Sequence, residues 1–83
     1  SGNDGDEEPT TFSATGTIEK IANGSVTLRH SPVPRLDWPA MTMSFRTKNS
    51  AQMRGLEKGD EVRFTFTQQD AGPLIETIGR AGQ

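Results

Sequence analysis

The chain has 83 residues, enough for one small domain and too few for a multi-domain or large-enzyme arrangement. Only 30% of it is hydrophobic, low enough to raise the question of disorder, but a formal net charge of -2 lacks the imbalance that usually accompanies disorder. With no cysteine, disulfides, thiolate metal sites, iron–sulfur clusters, c-type haem attachment and cysteine nucleophiles are excluded, and no apolar run approaches the ~20 residues of a membrane span.

Residues 1–11 are polar, carry four carboxylates and offer nothing to bury. They are expected to form a disordered acidic tail or linker, leaving residues 12–83 as the folded domain. Without the tail the net charge is near +2, too balanced to point to a polyanion. The chain starts Ser-Gly rather than Met, as an excised or processed piece would.

From Phe12 the pattern has period two with closely spaced turn signals, which favours strands. Phe12, Ala14, Gly16 and Ile18 share one face of a first strand. Asn23-Gly24 signals a hairpin into a second, where Val26, Leu28 and His30 alternate inward. Pro32, Pro34 and Pro39 stiffen the connection from Ser31 to Ala40. Met41, Met43 and Phe45 are in phase on a third strand. Asn49 or Ser50 is placed to cap a helical turn through Met53, closed by Gly55, with Leu56 packed inward. Lys58-Gly59-Asp60 turns into a fourth strand with Val62, Phe64 and Phe66 inward. A last turn, Asp70 to Pro73, leads to a strand from Leu74 to Ile78 whose inward face is ambiguous because Leu74 and Ile75 are adjacent. Five short strands in so few residues are best accommodated by an all-β, small OB-like β-barrel, whose closure removes exposed edges; an SH3-like barrel or open meander fits the same pattern.

The single histidine, the single tryptophan and two of three methionines fall within fourteen residues as His30, Trp38, Met41 and Met43. Each has an ordinary structural reading: methionine as core filler, histidine as a hydrogen-bonded core residue, tryptophan as a packing anchor. Core packing gives no reason to cluster them. The strand phases send His30, Met41 and Met43 into one end of the barrel interior, and Cα atoms two residues apart on a strand lie about 6–7 Å apart, a gap two flexible thioethers can close onto one ion. Two thioethers and an imidazole form a soft donor set that selects Cu(I) or Ag(I) over Zn(II), Mg(II) or Ca(II). Trp38, held by Pro39, could lay its indole over a monovalent ion as a cation–π cap. Met53 is out of this register and is assigned to the helical turn and the core.

The segment from His30 through Trp38-Pro39-Ala40-Met41-Thr42-Met43, followed by Phe45 and by Lys58-Gly59-Asp60-Glu61-Val62-Arg63-Phe64, resembles the CusF-like family of periplasmic Cu(I)/Ag(I)-binding domains from about Ala14 to Ile78. The resemblance implies a five-stranded OB-like barrel in the periplasm, with His30, Met41 and Met43 as metal ligands and Trp38 as the cap. It also implies either a free-standing metallochaperone or the C-terminal domain of the membrane-fusion subunit of a resistance-nodulation-division heavy-metal efflux pump, and the acidic start favours the second. The expected partners are the metal ion and periplasmic pump subunits, with a monomeric domain that neither binds nucleic acid nor inserts into a membrane. Two alternatives carry no metal: an OB-fold nucleic-acid or oligosaccharide binder, disfavoured because the phenylalanines are in the core phase and Tyr is absent, and an adaptor whose Met and His are simply core. An enzyme is not expected, for want of a second histidine, a nucleophile–base pair or an inward carboxylate dyad.

Overall fold

The computed structural model describes residues 10–82. The expected tail, residues 1–11, lies outside the described residues except for Thr10 and Thr11, and Thr11 is already the first residue of a strand.

Five strands follow in order: β1 (Thr11–Ala22), β2 (Ser25–His30), β3 (Met41–Arg46), β4 (Glu61–Gln69) and β5 (Gly72–Arg80). They close into a barrel with neighbours in the order β1-β2-β3-β5-β4, the five-stranded OB-like architecture expected from the alternation. β1 makes closure possible by serving two neighbours. Its first half, Thr11 to Thr17, pairs with β4, while Gly16 to Ala22 pairs with β2. The register slips between Ile18 and Lys20, a bulge that bends and twists the strand. The Asn23-Gly24 hairpin forms as expected, with Gly24 at φ 87, a conformation that favours residues lacking a Cβ.

The inward phases read from the sequence form the core. Ala14, Ile18, Val26, Leu28, Phe45, Val62, Phe64, Phe66 and Ile75 are all buried. The ambiguity at Leu74 and Ile75 has a geometric cause: Thr65 pairs with Thr77 but Phe66 pairs with Ile75. Glu76 is thus an extra residue that shifts the phase of β5, so Ile75 is buried while Leu74 and Ile78 are half-buried. The strand also starts earlier than expected, at Gly72. A 3-10 turn occupies Ser50–Met53, but neither Asn49 nor Ser50 gives it a side-chain cap. Gln52 organises this segment instead, its Oε1 accepting from the Lys48 amide at 2.7 Å. Met53 is buried and Leu56 half-buried, as expected.

Closure is least complete between β3 and β5, which share a single parallel pair, Arg46 with Leu74. Side chains complete that seam. The Gln52 amide donates to the carbonyls of Ile75 and Glu76, both at 3.2 Å, and Arg46 donates to the Gly72 carbonyl at 2.9 Å. Lys48 forms an ion pair with Glu76 at 2.5 Å, and the buried Thr67 hydroxyl donates to the same carboxylate at 3.0 Å. Lys48 and then Thr67 hold the Glu76 carboxyl below the ordinary glutamate range. The folded state therefore binds fewer protons than the unfolded chain at this position, so the contribution is fully present above that range and is lost as pH falls through the lowered value. Urea midpoints measured from neutral to acidic pH are expected to decline below the ordinary glutamate range, and E76Q is expected to decline less steeply. An unchanged slope in E76Q would show that the pair does not brace the seam.

Candidate metal centre

His30 ends β2, where it continues the inward phase of Val26 and Leu28, and only 2% of it is exposed. Its strand neighbours are Gly16 on one side and Met41 on the other. Gly16 is needed here for space: a Cβ at this position would stand 2.7 Å from the Arg29 carbonyl oxygen and 3.1 Å from His30 Cα. The imidazole Nδ1 lies 2.7 Å from the Ser31 carbonyl oxygen. A carbonyl can only accept, so Nδ1 carries the hydrogen, and in the neutral ring Nε2 presents a bare lone pair. That Nε2 is buried and has no hydrogen-bond partner. Leaving such an atom unsatisfied costs about 1–3 kcal/mol, a cost that an ion bound at Nε2 would remove.

Met41 sits directly across from His30, and Met43 across from Leu28. Directly opposed residues have Cβ atoms about 4.5–5.5 Å apart and diagonal neighbours lie about 7–8 Å apart, so Met41 starts beside the imidazole and Met43 one diagonal step from it, within reach of a long thioether chain. Their burial differs from the sequence expectation. All three side chains were expected to project into the barrel interior; Met43 is half-buried, but Met41 is 41% exposed. The reason is position along the strand: Met41 is the first residue of β3 and stands at the rim. The site is therefore a graded one, with a buried nitrogen below and an accessible sulfur at the mouth.

Trp38 reaches this end from the proline-rich connection. A 3-10 turn at Pro34–Leu36 is followed by Asp37 in the left-handed region at φ 60. The loop is then tied at its base, Val33 N–H donating to the Trp38 carbonyl at 2.9 Å and Trp38 N–H to the Val33 carbonyl at 3.2 Å. The indole stacks on Phe66, with centroids 5.5 Å apart and planes within 8°, and stands 5.6 Å from the His30 ring at 40°. Phe45 meets His30 edge-on at 5.8 Å. The residues grouped by sequence, His30, Trp38, Met41 and Met43, are thus brought to one end of the barrel. The rings behind them carry no site signal in the sequence. Phe45 and Phe66 were legible only as core residues, since the stack on Trp38 depends on how the loop returns.

Among the described residues no group of three or more His, Cys, Asp or Glu side chains gathers as a harder metal site. The donors available at this end are sulfur and imidazole nitrogen, the set that suits monovalent soft ions.

A small closed barrel with one buried imidazole and two neighbouring thioethers defines a class, the soft-metal-binding OB-like domains. The chain belongs to the family of the copper-binding periplasmic protein CusF, whose family model matches residues 11–80. This is a family of metal-binding proteins rather than enzymes. Among its relatives, the cation efflux system protein CusF of Escherichia coli O157:H7 is 34% identical over 73 residues, a match that covers 86% of this chain and 66% of that protein's length. The silver-bound structure of Escherichia coli CusF superposes with a TM-score of 0.81 at 33% identity, covering 89% of this chain and 95% of that one. The solution structure of the C-terminal domain of SilB from Cupriavidus metallidurans gives a TM-score of 0.77 at 31% identity, covering 89% of this chain and 92% of that domain.

Proposed function

We propose that this domain captures Cu(I) or Ag(I) in the periplasm, with His30 Nε2 and the thioethers of Met41 and Met43 as ligands and Trp38 as a cation–π cap, and delivers the ion to a heavy-metal efflux system by ligand exchange. The observation that carries this reading is the buried Nε2 without a partner, on a ring set opposite Met41 and beside the Trp38 indole. Silver in the structure of Escherichia coli CusF supports the choice of ion. The name of the curated relative, a cation efflux system protein, supports the route.

The exposed Met41 gives transfer a starting point. An acceptor can attack the ion from the rim while His30 still holds it, so the ion passes without entering water. We further propose that the barrel, whose first strand begins at Thr11, is the C-terminal domain of a membrane-fusion subunit, acting as a monomer toward periplasmic pump subunits. Similarity to a C-terminal domain, that of SilB, supports this arrangement.

Adding Ag(I) to the apo protein tests the core of the proposal. The methyl resonances of Met41 and Met43 are expected to shift, and Trp38 fluorescence to change, with both saturating at one equivalent. Unchanged methyl signals at stoichiometric silver would overturn it.

A further inference from the structure

The imidazole is oriented by a carbonyl, and that carbonyl is itself held. Ser31, which follows β2, is tied to β1 in three ways. Its amide donates to the Thr15 carbonyl at 2.8 Å. Its Oγ accepts from the Thr15 amide at 3.3 Å and from the Thr15 hydroxyl at 3.3 Å. The next residue of β1, Gly16, lies opposite His30 and packs so closely that a Cβ would collide with the Arg29 carbonyl. On the other side, Pro32 restricts the Ser31 backbone to extended conformations. The peptide plane that carries the Ser31 oxygen is thus fixed from both ends, and that oxygen is the partner of His30 Nδ1.

We infer that Ser31, clasped by Thr15, is the positioning residue that keeps His30 in the Nδ1–H form and aims Nε2 at the ion. The inference rests on the proposed role of His30 as a ligand and adds which residue outside the ligand set controls it. The physical reason is specific. A neutral imidazole has two tautomers, and only the one with hydrogen on Nδ1 leaves Nε2 free to bind a metal. Groups that hold the second nitrogen of a ligating histidine commonly control about 10–100-fold of the metal affinity. Ser31 acts through its backbone oxygen, so its side chain tunes the site without touching the ion. Exchange for threonine keeps the hydroxyl and the clasp, whereas glycine removes the hydroxyl and loosens the peptide.

The test uses the apo protein and Ag(I), with wild type, S31G, S31T and H30Q. The first readout is the pair of imidazole nitrogen shifts of apo His30, recorded for all variants at one fixed, mildly alkaline pH. Wild type and S31T are expected to show one protonated Nδ1 and one bare Nε2, and S31G a mixture of the two forms. The second readout is silver affinity by competition. S31G is expected to bind about tenfold more weakly, the low end of the range for such partners, with S31T restoring wild-type binding. Backbone amide spectra show whether S31G keeps the barrel; if it does not, S31A, which removes only the hydroxyl, is read in the same way. Weak binding by H30Q together with wild-type nitrogen shifts in S31G and S31A would overturn the inference and leave His30 as a ligand. Undiminished binding by H30Q would overturn both.

Discussion

The double substitution of Met41 and Met43 by isoleucine is expected to abolish silver capture while the barrel stays folded. Isoleucine is close to methionine in volume, and such exchanges usually cost less than about 1.5 kcal/mol. Half-buried Met43 is expected to account for most of this loss, because Met41 stands 41% exposed at the rim. β-branched residues also suit strands, so the backbone has no reason to leave its register opposite Leu28 and His30. The chemistry, by contrast, changes completely. Isoleucine has no lone pair, and a single imidazole is left as donor. Affinity is expected to fall by more than about a hundredfold, equivalent to roughly 2.8 kcal/mol at 1.4 kcal/mol per tenfold, with near-wild-type urea midpoints. Retained capture by a folded double variant would show that the thioethers are not the ligands.

The second large effect concerns Phe66, which belongs to the core and to the site. It is fully buried, packs against Phe12, Phe45 and Phe64, and carries the Trp38 indole on its face. Truncating a buried phenylalanine to alanine typically costs about 3–5 kcal/mol. At roughly 0.05–0.15 kcal/mol per residue, that is a large part of the stability a chain of this length can have. Phe64→Ala is the control, since Phe64 is equally buried and meets Phe45 edge-on at 5.1 Å but is not stacked on Trp38. Both variants are expected to lose comparable stability in urea. Only Phe66→Ala is expected to bind silver more weakly and to alter Trp38 fluorescence in the apo state. Saturating silver stabilises the folded form by about 2.7 kcal/mol at a hundredfold excess over the dissociation constant, so Phe64→Ala should be rescued more fully than Phe66→Ala. Equal silver affinity in the two variants would show that the stack does not support the cap.

Much of this was legible in the sequence because alternation alone places a side chain on one face of a strand. The inward phases of Val26, Leu28 and His30, and of Met41, Met43 and Phe45, led directly to the two strands that meet at the site, and the Asn-Gly pair set their hairpin neighbour. What escaped was whatever depends on closure. The bulge at Glu76 follows from how β5 must curve past β4, and it scrambled the phase of Leu74 and Ile75. The exposure of Met41 follows from where β3 begins, which alternation does not reveal. Residue type points to Asn49 or Ser50 as the cap of the Ser50–Met53 turn, but no side chain caps it and Gln52 bridges to β5 instead. The clasp between Thr15 and Ser31 joins residues sixteen apart in sequence and has no local signature.

The single backbone pair between β3 and β5 also bears on how the molecule opens. Local opening begins where the fewest buried contacts and backbone hydrogen bonds hold. In native-state hydrogen exchange, the amides of β3 that point away from β2 are expected to exchange well before those of β1 and β4, which share seven paired positions. The strand bearing both methionines is therefore expected to part from β5 first while keeping its six pairs with β2, and Phe64, Phe66 and Val62 are expected to stay packed. On the function proposed above, release of the ion would be a subglobal fluctuation of one strand, at a free-energy cost below that of unfolding the barrel. A covalent tie across that seam would be expected to slow metal exchange without changing which ion is chosen.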